Sequence, residues 1–306
     1  MHTEAELRVL AALREESTIS ALAEKLDQSP NYVSELVTRM EANGLVRSFR
    51  SGKTKRIYRS DARAVEVFDG FVQRYPHIPF SELLAGATLR VLYYLESPAS
   101  GTALADRAGV HRSTVYRSLS PLQHRGIVYQ TNNKYVLNDE FEELSTLARE
   151  FAHHQNRQRV KAHTGSYTIL WESLDDFLVQ TDDEINADGF VVTGPERFQD
   201  YGLPLFSRQY RYYLFSESND DLSPEELCCH MLVIDDGTRS LSYCLLLLSE
   251  ASIDRDRLRA DAETYDVKDS VTDLLTYLDT DGAERTATLP TWQEFRNLAD
   301  DYGVTL

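Results

Sequence analysis

Cysteine is close to absent from this 306-residue chain. There are three, and Cys228 and Cys229 are adjacent. That excludes a disulfide framework and fits a reducing, cytoplasmic setting. Long apolar runs are missing too: the longest aliphatic stretch is Leu245-Leu246-Leu247-Leu248, far short of the roughly 20 residues that span a bilayer. Met1 leads straight into an amphipathic pattern with no basic-then-apolar leader, so neither a signal segment nor a membrane partner is expected. No Gly-rich phosphate loop and no Gly-x-Ser-x-Gly elbow occur. Gly194 is followed by Pro195, and no carboxylate pair completes a nucleotidyl-transfer site there. An enzyme is not expected, and no cofactor is called for.

Lysine is scarce, at 6 of the 32 basic residues, and the net charge is −17. The charge is unevenly spread. Residues 1–162 hold 22 Lys+Arg against 19 Asp+Glu, leaving 10 against 30 for residues 163–306. The acidity therefore belongs to the C-terminal part and does not argue against nucleic-acid contact by the front. An acidic, lysine-poor surface fits a halophilic source; an ordinary acidic cytoplasmic protein is the alternative. Hydrophobic residues make up 42%, enough for packed cores in two or three domains.

What is present is a repeat. Ala21-Leu22-Ala23 through Gly44-Leu45-Val46 lies on Ala103-Leu104-Ala105 through Gly126-Ile127-Val128 at a constant offset of 82. Each copy reads as a short helix, a turn, a longer helix ending at Gly, and a strand. In the first, Val33, Leu36, Val37 and Met40 form an inward helical stripe. Asn31, Tyr32, Ser34, Glu35 and Thr38 are left on the outer face, the one a helix-turn-helix lays in the major groove. The segment after Gly44 holds Arg47, Arg50, Lys53, Lys55, Arg56 and Arg59, with no acid and a Ser51-Gly52 turn at its middle. It reads as a wing along a phosphate backbone.

The second copy begins with a helix from Phe80 to Leu95. A short helix to Ala108 follows, with Thr102 as a candidate cap, and then a recognition helix from Arg112 to Arg125. Val115, Leu119 and Leu122 face inward; Arg112, Ser113, Tyr116, Arg117 and Ser120 face outward. Pro121 is expected to kink or break this helix, and the wing carries one cation, Lys134. This copy either reads DNA weakly or packs as a structural or dimerising module.

A short helix and a Pro76/Pro79 linker separate the copies. From Asp139 to about His163 a polar helix carries Phe141, Leu144, Leu147, Ala148 and Phe151 along one seam, which makes dimer contacts or connects to the next domain. The remainder mixes strands and helices. Tyr167–Leu178 is ambiguous, Gly189–Val192, Tyr210–Phe215 and Cys229–Ile234 read as strands, and Thr193 as a helix cap. Helices follow from Leu241, Asp256, Val271 and Trp292. Cys228-Cys229-His230 is the one Cys/His cluster, and on a strand only Cys228 and His230 share a face, two ligands short of a metal site.

Residues 1–138 resemble tandem winged-helix transcription regulators of archaea, of the MarR/ArsR-like kind, on Ala21-Leu22-Ala23 with Gly44-Leu45-Val46 and Val115-Tyr116-Arg117 with Gly126-Ile127-Val128. The C-terminal part is similar to the domain of AbiEi-type antitoxins, on Val192-Thr193-Gly194, Tyr201-Gly202-Leu203 and Leu245–Leu248 with Ile253-Asp254. That likeness implies autorepression of an operon and a nucleotidyltransferase-like toxin as partner. The expected fold is α+β. A first winged helix-turn-helix spans 1–78, a second 79–138, a linker or dimerisation helix 139–162, and an acidic α/β sensor or partner-binding domain 163–306. The expected function is transcription regulation on double-stranded DNA as a homodimer, with an effector or protein partner at the C-terminal domain and no metal.

Overall fold

Thr3 starts the first helix by reciprocal capping. Its hydroxyl accepts the Glu6 amide N–H while the Glu6 carboxylate accepts that of Thr3, opening α1 (Glu4–Ala12). The computed structural model describes residues 2–52, 54–205, 209–217 and 221–306, in two compact units, Met1–Arg159 and Val160–Leu306. In the first unit α2 (Ile19–Leu26) and α3 (Pro30–Ala42) precede a hairpin, β1 (Val46–Ser51) and β2 (Thr54–Arg59). Next come α4 (Arg63–Arg74), α5 (Phe80–Leu83) and α6 (Ala87–Tyr93). Then β3 (Ala99–Ser100), α7 (Gly101–Ala108), α8 (Arg112–His124), β4 (Val128–Thr131), β5 (Lys134–Leu137) and α9 (Glu143–Lys161) complete the order.

The offset of 82 holds in three dimensions. Both ends of α2 and α3 lie 82 residues before those of α7 and α8. The turn residues match as well: Asp27 and Gly109 end α2 and α7 in left-handed backbone, at φ 53° and 61°. Ser17 exchanges two backbone hydrogen bonds with Ile57, at 2.9 and 2.8 Å, and its counterpart Ala99 pairs with Tyr135. Each copy is thus two helices joined by a turn and followed by a hairpin, one strand of which is paired by a third segment.

Three local expectations need correction. The helix drawn from Phe80 to Leu95 is broken between α5 and α6, where Gly86 takes φ 62°. Ser100, not Thr102, caps α7, accepting the Ala103 amide at 3.2 Å. Pro121 does not break α8, which runs on to His124. Val115, Leu119 and Leu122 hold its inner face in the core, while Pro121 itself is exposed.

A single hydrophobic core runs through the unit, from Leu7 in the first copy to Leu137 in the second and Phe151 on α9. Leu144, Leu147, Ala148 and Phe151 are at most 1% exposed. The Phe151 ring lies 6.2 Å from Phe68 and 4.6 Å from His2. Arg149 pairs with Glu96 at 2.5 Å, and His154 Nε2 lies 2.7 Å from the Asn43 carbonyl. Burial pushes the His154 pKa down, so the neutral ring donates that bond. The seam, expected to make dimer contacts or to connect to the next domain, is therefore already filled within the unit: α9 braces both copies.

The second unit is an antiparallel sheet with helices. β6 (Tyr167–Glu172), β7 (Phe177–Thr181), β8 (Phe190–Thr193) and β9 (Arg211–Phe215) lie in the order β6-β7-β9-β8. The ambiguous stretch 167–178 resolves into β6 and the start of β7. The helix expected after Thr193 is present as a 3₁₀ helix over Gly194–Tyr201, and Thr193 makes no side-chain cap. α10 (Pro224–Ile234), α11 (Thr238–Glu250), α12 (Arg255–Thr264), α13 (Lys268–Asp279) and α14 (Trp292–Tyr302) follow. The strand expected over Cys229–Ile234 is instead part of α10. A Ser223/Glu226 capping box with Pro224 at the first position starts it. Leu227 through Leu232 are all buried, so no polar face marks the helical period.

Because Phe151 closes the common core, Phe151→Ala is expected to cost about 3–5 kcal/mol in urea unfolding of the full chain. A loss below about 1 kcal/mol would show that α9 merely borders the core.

Candidate nucleic-acid interface

α3 buries Val33, Leu36, Val37 and Met40 and exposes Asn31, Tyr32, Ser34, Glu35 and Thr38, as its stripe requires. Thr38 donates to the Ser34 carbonyl at 2.9 Å. Arg39, on the same exposed face, escaped the sequence reading although it stands four residues after Glu35, one helical turn on.

The first hairpin sorts its cations by strand alternation. Val46 pairs with Arg59, Ser48 with Ile57 and Arg50 with Lys55, and the buried Val46 and Ile57 mark the face turned to the core. Arg59 points into the fold, with Nη1 2.5 Å from Asp69 and Nε donating to the Leu10 carbonyl at 3.0 Å. Both contacts commit Arg59 within the fold, whereas the sequence pattern placed it among the phosphate contacts. Lys55 lies 2.6 Å from Glu41, which also accepts the Ser48 hydroxyl. Burial raises the Glu41 pKa, but the hydrogen bonds from Lys55 and Ser48 outweigh it, and the carboxyl is held below its ordinary value. This pair ties the wing to the last turn of α3. Arg47 meets Asp61 at 2.6 Å with both side chains exposed, a pair that solvent weakens. Among the described residues, Arg50 and Arg56 are exposed and in no ion pair. Lys53 lies outside the described residues.

On α8, Arg112, Ser113, Tyr116 and Arg117 are exposed and Ser120 is half-buried. Arg112 donates through Nε and Nη2 to the Tyr116 hydroxyl at 3.0 and 2.7 Å, with its guanidinium 5.4 Å from the ring centre. Two of its five N–H donors are spent there, and the remaining edge can meet an acceptor. Tyr116 is braced by the buried Tyr135 ring at 6.3 Å. Burial, and Tyr116 beside it, push the Tyr135 pKa up. His111, another residue the sequence reading missed, caps α8: its Nδ1 accepts the Ser113 amide at 3.3 Å and lies 2.8 Å from the Ser113 hydroxyl. The second hairpin turns through Asn132 and Asn133 (φ 49° and 59°) and exposes Lys134. No side chain of the α3 set bonds one of the α8 set among the described residues.

In the second unit, Cys228, Cys229 and His230 are buried on α10. A hydrogen bond with Cys244, and burial, raise the Cys228 pKa, and burial raises that of Cys229, so both stay thiols. His230 Nδ1 lies 2.8 Å from Thr193 Oγ1, and burial lowers its pKa to about 3, leaving it neutral. No group of three His, Cys, Asp or Glu is placed to hold a metal among the described residues. No helix among them is long and apolar enough to cross a membrane.

Two family models match the chain, each over less than half its length. Residues 88–132 match an IclR helix-turn-helix domain, and residues 187–304 match HVO_2833_C, C-terminal. No curated protein matches. The first match spans α6 to the second wing tip, and it supports a DNA-binding transcription regulator. Neither match carries the antitoxin likeness.

Removing both free wing cations in an Arg50→Ala/Arg56→Ala protein should lower the log–log salt slope of DNA binding by about 1.8, at about 0.9 per phosphate contact. Arg59→Ala should leave the slope alone and lower the melting temperature. The opposite assignment of the two effects would overturn this sorting of the wing.

Asp261 on α12 supplies a pH test. Burial, then the Glu226 charge, raise its pKa to about 6, against a smaller opposing effect of Arg257. Folding thus favours the protonated form. Its stabilising contribution is present below the ordinary Asp value of 3.8 and is lost as pH rises through about 6. Asp261→Asn should therefore raise stability at pH 7, on the order of 1–2 kcal/mol, with little gain at pH 4. An equal change at both pH values would contradict the assignment.

Proposed function

We propose that this protein is a sequence-specific transcription regulator that engages DNA with both winged-helix copies. One observation carries the reading: the exposed polar face of α3 is followed at once by a hairpin whose Arg50 and Arg56 are committed to nothing else in the described fold. The helix-turn-helix match lies on the second copy, and the equal element bounds extend the same role to the first.

The two copies divide the task. Arg50, Arg56 and the loosely held Arg47 give the first a phosphate grip. Its α3 offers Asn31 and Glu35, an amide that suits adenine and a carboxylate that suits the cytosine amino group. The second copy has little charge on its wing and carries its cations, Arg112 and Arg117, on the recognition helix, where they suit guanine. As α9 braces both copies in one core, the two readers reach DNA at a set separation. The acidic C-terminal unit stays off the duplex by repulsion and serves an effector or a basic protein partner. Homodimerisation would have to use a surface other than the α9 seam.

The test is binding of the purified chain to DNA from upstream of its own gene, against scrambled DNA of equal length, over a salt series. Selective binding is expected. Arg117→Ala should lower selectivity about tenfold, as the loss of one base contact does, with the salt slope little changed. Equal affinity for both DNAs at every salt concentration would refute the reading.

A further inference from the structure

Besides its cations, the first hairpin carries an apolar ring that the fold does not use. Phe49 is 42% exposed, on the face opposite Val46 and Ile57. Its direct cross-strand neighbour is the free Arg56, and its ring meets the edge of Tyr58 at 5.9 Å and 60°. Scattered exposed apolar residues are ordinary on a protein surface. These are not scattered: of the six large hydrophobic side chains exposed among the described residues, Tyr32, Phe49, Tyr116 and Tyr129 all lie on a recognition helix or wing. Three of the four are tyrosines with a hydroxyl for water, and Phe49 has no polar atom. Tyr58 supports one edge of the ring, so it is presented outward rather than folded along the strand.

We propose that Phe49 is a wedge that enters the DNA stack when the first wing lies in the minor groove. This rests on the DNA-binding reading above and adds how the wing alters its ligand. An apolar side chain pushed between two base pairs unstacks one step and kinks the duplex, and flanking cations hold the phosphates that the kink brings closer. Phe49 has the apolar ring; Arg56 stands directly across from it on the same face and Arg50 on the other face of the ribbon, and neither guanidinium is in an ion pair among the described residues. Pyrimidine–purine steps unstack most readily, so Phe49 selects a flexible TA or CA step without any base hydrogen bond.

The experiment uses the full chain and a duplex of roughly 30 base pairs, A·T-rich with one central TA step and a dye at each end. Energy transfer reads bending, and a salt series reads affinity. The wild-type protein is expected to raise transfer on binding. Phe49→Ala should bind with an unchanged salt slope, about tenfold more weakly, and without the rise in transfer. Phe49→Leu, still an apolar wedge, should restore most of the bend. Phe49 is exposed, so all three should share one melting temperature. Wild-type binding without bending, or bending that survives Phe49→Ala, overturns the wedge and leaves the DNA reading standing. No wild-type binding to any duplex overturns both.

Discussion

Burial of one apolar seam on α9 is the constraint on which the first unit depends. Leu144, Leu147, Ala148 and Phe151 leave solvent together, and they do so in the same core that holds Leu36 of α3 and Leu119 of α8. Two helix-turn-helix copies of this size, each alone, would have a small core and marginal stability. Joined by α9 they share one. The outer faces of α3 and α8 are free for a ligand because their inner faces are committed to that core.

Polar contacts then adjust what the core has placed. The Lys55–Glu41 pair fastens one end of β2 to α3, and Arg59 fastens the other end of the same strand to α4 through Asp69. Each commits a positive charge within the fold, so the wing that looks uniformly basic has a graded set of cations, with Arg50 and Arg56 the uncommitted ones among the described residues. On α8 the opposite is seen. Arg112 is held by Tyr116 within its own exposed face, which limits how many shapes the guanidinium adopts.

The repeated helix pairs were legible in the sequence because each helix buries one stripe and leaves the rest wet. Spacing such as Val33, Leu36, Val37 and Met40 has one physical meaning. The hairpin was legible from its charge and its Ser51-Gly52 turn, but the fate of each cation was not. Glu41 lies 14 residues from Lys55 and Asp69 is on another helix, and no local pattern pairs them. The α9 seam was visible as a seam; whether it packs on its own chain or on a second copy depends on distant surfaces. α10 was misread as strand for the opposite reason to α3: buried on every side, it has no period to show.

The most direct test of the account is a footprint of the full chain on its selected DNA, repeated with about half a helical turn of base pairs inserted between the two protected segments. Two readers braced in one core predict two protected segments, and loss of protection over one of them after the insertion, with weaker binding. A single protected segment, or two that bind equally well at the new spacing, would contradict it.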